Sequence, residues 1–171
     1  MKFVTKRVYN TWKFETWTEA FDANRRHIEG LKGVLPDSII ELAEPYLLDD
    51  GLVLKVVYDR AKKTLTLVLR CGNLQIDYYD IIITYVGAKI TPKHDQTLAN
   101  IARSTNEFQG YGHDIHFHEI TVAKDRRITH RFLFNPGVQF AISCKSLTWR
   151  KIPRKGRNFA KVEDRYVGGP I

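Results

Sequence analysis

With two cysteines, one methionine and six prolines in 171 residues, the chain lacks the means for several familiar solutions. Cys71 and Cys144 cannot make a disulfide framework or a four-cysteine zinc site, so both are expected as reduced thiols in or near strands. No apolar run approaches the roughly 20 residues that a spanning helix needs, which excludes a helical membrane span. The amino end carries positive charge, but Asn10, Lys13 and Glu15 interrupt any apolar stretch behind it, and a cytoplasmic chain is expected. Also missing are Gly-x-Gly-x-x-Gly, a Walker loop, Gly-x-Ser-x-Gly and His-Glu-x-x-His. The clustered carboxylates are Asp49-Asp50 and Asp77/Asp80, placed where turn chemistry favours aspartate, and they form no glycosidase pair. No cofactor is expected.

What is present describes one domain. A chain of this length buries roughly 70% of the surface its unfolded form exposes, enough for a core without staples. The hydrophobic content of 43% and charged content of 27% are ordinary for a globular protein. The net charge of +8 is uneven along the chain. From Trp149 to Ile171 there are seven Lys or Arg against two acids, a net of +5, which leaves 20 basic and 17 acidic residues before it. The boundaries that follow are a domain over residues 1–152 and a basic carboxy-terminal extension over 153–171.

Thr16-Trp17-Thr18-Glu19 fits a capping box, and Trp17, Phe21, Ile28 and Leu31 then recur at helical spacing until Gly33 and Pro36. A short helix is expected from Pro36 to Pro45, and another between Pro92 and Asn106, while Phe3 to Tyr9 fits either an extended segment or a helical turn. From Asp49-Asp50-Gly51 the period becomes two. Leu52, Leu54, Val56 and Tyr58 alternate, as do Leu65, Leu67 and Leu69 across a polar turn, which predicts a hairpin. The alternation slips by one residue near Tyr79-Asp80 and again near Lys145-Ser146, predicting a bulge or break at each. The paired slips let Leu65–Ile90 be laid on Ile128–Ile152 as a weak internal repeat. The expected fold is therefore α+β: an antiparallel sheet of about six strands, built from two related three-strand meanders, with amino-terminal helices on one face. A small closed barrel is the alternative.

Three groups of residues could carry function. His116 and His118 alternate on one strand with His130 on the next, a spacing that could start a zinc, iron or copper site with an open position for activated water or dioxygen. The segment Gly110 to His118 resembles the opening of the cupin motif, which would imply metal binding. It departs from that pattern because Thr121 to Lys124 supply no glutamate and no second histidine motif follows. The second group is the basic run of Arg150, Lys151, Arg154, Lys155 and Arg157, with Trp149, Phe159 and Tyr166 nearby, the composition of a phosphate-contacting arm with stacking rings. The third is Tyr79, Tyr111, Arg131 and Trp149, aromatic and Arg side chains of the kind that anchor protein interfaces.

The start Met1 to Lys6, the two strand triplets, and the His130 to Phe134 strand leading into a turn are similar in layout to small bacterial α+β domains, some of them in toxin-immunity neighbourhoods. The resemblance implies a non-catalytic, protein-binding role and carries over no functional residues. The basic charge argues against neutralising a nuclease, for which an acidic face is expected. The expectation is thus a bacterial, cytoplasmic protein-binding module; nucleic-acid binding through the tail and a metal enzyme on the histidines are the alternatives.

Overall fold

The computed structural model describes residues 2–4, 6–11, 13–73, 77–106, 114–134 and 137–154. Its elements are α1 (Lys6–Thr11), α2 (Phe14–Glu29), α3 (Asp37–Leu42), β1 (Gly51–Asp59), β2 (Thr64–Asn73), β3 (Asp77–Val86), α4 (Pro92–Asn106), β4 (Asp114–Val122), β5 (Ile128–Phe134), β6 (Val138–Cys144) and β7 (Ser146–Pro153). The fold is α+β, with a single antiparallel sheet of seven strands in the order β6-β5-β4-β1-β2-β3-β7. Among the described residues no helix is long and apolar enough to cross a membrane.

The order contains a geometric demand. β6 and β7 stand at opposite ends of the sheet, yet only Lys145 lies between them in sequence. Six strand spacings would separate the ends of a flat sheet by roughly 29 Å, whereas two peptide steps reach at most about 7 Å. The sheet must therefore curl until its two ends meet at this corner. Lys89, just beyond β3, forms an antiparallel bridge with Ser143 of β6, and Tyr85 of β3 reaches His130 of β5 across the hollow. The pairing itself stays open, because β6 and β7 share no ladder.

Inside the curl, alternate residues of each strand form the main core: Leu65, Leu67 and Leu69 of β2, Ile81, Ile83 and Tyr85 of β3, and Phe132, Phe134 and Phe140 of β5 and β6. Each such side chain contributes about 1.5–3 kcal/mol relative to exposure. Ile39, Ile40 and Leu42 of α3 and Leu98 and Ile101 of α4 join the same cluster. α4 lies against β1 and β6, beside a seam where β1 and β4 share just two residue pairs. A second, smaller cluster forms on the opposite face of β4 and β5, where Phe117 and Leu133 meet Val4, Tyr9 and Ala20. The buried Glu119 carboxylate on that face accepts hydrogen bonds from the backbone N–H groups of Lys2 and Phe3, fixing the amino-terminal segment.

Several local expectations are corrected. α2 begins at Phe14 with Lys13 as N-cap, so Thr16 lies inside the helix and the capping box is not used. β3 pairs with β2 without a break from Asp77 to Val86, so no bulge occurs at Tyr79-Asp80. Asp80 is buried there because Arg70 and Arg154 close on its carboxylate, which satisfies the charge. The bulges fall at Leu54 in β1 and His116 in β4. Thr64–Val86 holds two strands where Ile128–Pro153 holds three, with β7 paired to β3, so the suggested overlay of those stretches is not the pairing seen.

Candidate functional site

His116, His118 and His130, the residues of the metal expectation, are split between two faces of the sheet. The bulge at His116 breaks the alternation of β4, so His116 and His118 do not share a face. His116 packs edge-on against Tyr9 and Trp17 on the side of the smaller cluster, whereas His118 points into the curl. His118 and His130 are fully buried, and burial lowers the pKa of both, His118 to about 4, so both rings are neutral.

Their hydrogen bonds fix the tautomers. Glu44 offers a carbonyl oxygen, which can only accept, so His118 Nε2 carries the proton and donates over 3.1 Å. His118 Nδ1 must then accept from His130 Nε2–H at 3.2 Å, and His130 Nδ1 accepts from the Tyr85 hydroxyl at 2.8 Å. The chain runs one way, from Tyr85 through both histidines to the α3–β1 connection, and uses all four ring nitrogens. No lone pair remains for a metal, and among the described residues no three His, Cys, Asp or Glu side chains converge as a site. Cys71 and Cys144 are free and buried, and burial raises both thiols, Cys144 to about 11.

The expected anchors are scattered. Tyr79 is buried, donates to the Leu47 carbonyl at 3.0 Å and carries the Lys151 ammonium over its ring, so it is no exposed anchor. Its place on the inner face of β3, among Ile81 and Ile83, is the physical reason. Trp149 is half-buried, with its indole N–H donated to the Ser38 carbonyl. Arg131 bonds Thr121 at 2.7 Å and lies 3.6 Å from Glu119. Arg150 is exposed on β7. Arg154 is tied to Asp80, with Nε at 2.7 Å. Tyr111, Lys155 and Arg157 lie outside the described residues.

What the sequence reading missed is the gathering of cations at one end of the curl. The end of β3 and the start of the β3–α4 connection, Val86 to Lys89, form its hub. Lys63, closing the β1–β2 turn, accepts the Ala88 N–H at 2.7 Å, and Lys145 donates its backbone N–H to Val86 at 2.9 Å. Arg127, from the β4–β5 turn, donates to the carbonyl of Gly87 at 3.0 Å and to the hydroxyl of Ser143 at 3.1 Å. Gly87, at φ +64, has no room for a Cβ because the stem of Lys145 lies across it. Arg60, joined to Asp95, brings the first turn of α4 to the same place.

Four stretches far apart in sequence thus form one surface. Arg60 is paired with Asp95 and Lys62 with Asp59, while Arg127 spends its guanidinium on backbone and hydroxyl. Lys63, Lys89, Lys93, Lys124, Arg126 and Lys145 remain, all exposed and without a carboxylate within 4.0 Å among the described residues. Two of them sit on unusual backbone, Lys63 at φ +53 and Arg126 at φ +61. Around Arg126, Ala123 and Arg127 are hydrogen-bonded across a three-residue loop, the hairpin form whose left-handed position glycine ordinarily fills. At the start of β1, Asp49, Asp50 and Asp114 stand together as an acidic end, and Asp50 and, before β3, Asp77 occupy left-handed positions. Partial burial, then the charges of Asp50 and Asp114, raise Asp49 to about 6.

No family model, no curated protein and no solved structure matches this chain.

Proposed function

We propose that the protein is a non-catalytic binding module that engages an anionic partner through the basic end. The observation that carries this reading is the set of six exposed cations, with no carboxylate within 4.0 Å among the described residues, that the β3–α4 hub draws together from four stretches of chain. Such a surface attracts a polyanion and speeds its encounter. Among the described residues no three His, Cys, Asp or Glu side chains converge as a metal site, and Tyr79 is buried and bonded to Leu47. Both an acidic protein, which the resemblance to toxin-immunity domains accommodates, and a nucleic acid meet the charge requirement. A cytoplasmic setting would offer either.

Retention on immobilised heparin tests the surface itself. The full chain carrying Lys63→Gln, Lys89→Gln, Lys124→Gln and Lys145→Gln should elute at clearly lower salt, while Lys155→Gln with Arg157→Gln should change elution little. Unchanged elution of the first variant, with the tail variant weakened, would move the site to the tail.

A further inference from the structure

Resting on the reading of the basic end as a polyanion surface, we infer that its ligand is a double-stranded nucleic acid, held through its phosphates without regard to base sequence. Proteins that grip single strands stack bases on aromatic rings. Exposed large apolar side chains among the described residues are Phe14, Val34, Tyr46, Val57 and Val86, so the basic end presents valine and no exposed ring. Tyr46 precedes β1 at the acidic end, and Trp17 on His116 places the start of α2, with Phe14, there too. Tyr58, at the basic end, is partly buried and donates to the Ala88 carbonyl. Cations without rings suit a duplex backbone, where phosphates supply most contacts and bases need not be reached.

Lys63, directly before β2, and Lys145, directly before β7, stand on either side of Gly87, two strand spacings apart, or roughly 10 Å. That is comparable to the major groove of a DNA duplex, about 12 Å wide between facing phosphate rows. Lys63 and Lys145 can each face one row.

Arginine at the glycine position of the β4–β5 loop and lysine in the left-handed region of the β1–β2 turn each give up folding stability. The acidic end fills the same conformation with aspartate, which tolerates it. Charge placement therefore outranks stability at the basic end in both turns, as expected where a side chain must project to a ligand.

The experiment follows binding of the full chain to a labelled mixed-sequence DNA duplex, the matching RNA duplex, either single strand, and polyglutamate, across a salt series. Both duplexes should bind at least about tenfold more tightly than the single strands or polyglutamate, with little change when the sequence is scrambled. Replacing Lys63→Gln, Lys124→Gln and Arg126→Gly should flatten the slope of log affinity against log salt by nearly three, about 0.9 per lost contact on a duplex. Arg126→Gly alone should flatten it by about one with a melting temperature equal to or above that of the parent, so that lost binding is not lost fold. A marked preference for one duplex would name the source. Equal or tighter binding of single strands or polyglutamate, still weakened by the triple variant, would overturn the duplex while leaving the basic end as a polyanion site. Binding to none of the probes, or a slope unmoved by the triple variant, would overturn both.

Discussion

The hollow of the sheet and its basic rim treat polar groups in opposite ways. In the hollow, Tyr85, His130 and His118 are uncharged, fully buried and wholly occupied with one another and with Glu44. At the rim, six cations have no carboxylate within 4.0 Å among the described residues, and two of them stand on backbone that side chains avoid. A satisfied buried chain specifies one packing of β3 against β5 but has nothing left to offer a ligand. The rim has charge to offer and gives up stability to hold it there. Function is thus to be sought where stability has been surrendered.

The largest predicted effect lies in the hollow and depends on pH. Both histidines have folded pKa values below the ordinary 6.5, so the unfolded chain binds more protons in that range. Their stabilisation is complete above about pH 6.5 and is lost as pH falls toward the folded value, at a little over 1 kcal/mol per pH unit for each ring. For His118 the window runs from 6.5 to about 4, a loss of about 3 kcal/mol. Urea unfolding at a series of pH values should show it, and His118→Leu with His130→Leu should remove that part of the slope. Parallel curves for parent and variant would contradict the neutral chain.

A smaller effect comes from shortening the chain at its donor. Tyr85→Phe keeps the ring but strands the lone pair of His130 Nδ1 in the core, which should cost about 1–2 kcal/mol. The urea midpoint should fall with the m-value unchanged. The smallest effect has the opposite sign: Arg126→Gly removes left-handed strain, less the backbone entropy that glycine adds to the unfolded state, a net gain of at most about 1 kcal/mol. A drop in melting temperature for Arg126→Gly would mean that arginine earns its place by folding, and the contrast between hollow and rim would fail.

Periodicity made much of the frame legible. The stripe of α2, the turn between β1 and β2, the short α3 after Pro36, the α4 stretch and the break at Lys145 can all be read from spacing. The two bulges could not, because an extra residue at Leu54 or His116 leaves the composition of each face nearly unchanged. That one residue separates His116 from His118 and dissolves the expected metal pair. The apparent slip at Tyr79-Asp80 misleads for another reason: the alternation is carried through Tyr78, whereas Tyr79, Ile81, Ile83 and Tyr85 form the core-facing set of an unbroken β3. The basic end was hidden by bookkeeping along the chain. Before Trp149 the excess of positive charge is only 20 against 17, a near balance along the chain that conceals a local cluster of cations brought together from turns far apart in sequence.

The single-residue link between β6 and β7 also bears on self-association. Exposed sheet edges are templates for pairing with other copies of a chain. Here the covalent corner draws the two edges together, so a neighbouring molecule meets a bent rim in place of two long straight ones. The β6 side is guarded further, since Lys89 occupies Ser143 and His94 takes the Ala141 N–H at 3.4 Å. The β7 side carries Arg150, exposed Lys151 and Pro153, a charge pattern and a missing donor that frustrate strand addition. The corner that shapes the hollow therefore also acts as a gatekeeper against fibre-like stacking.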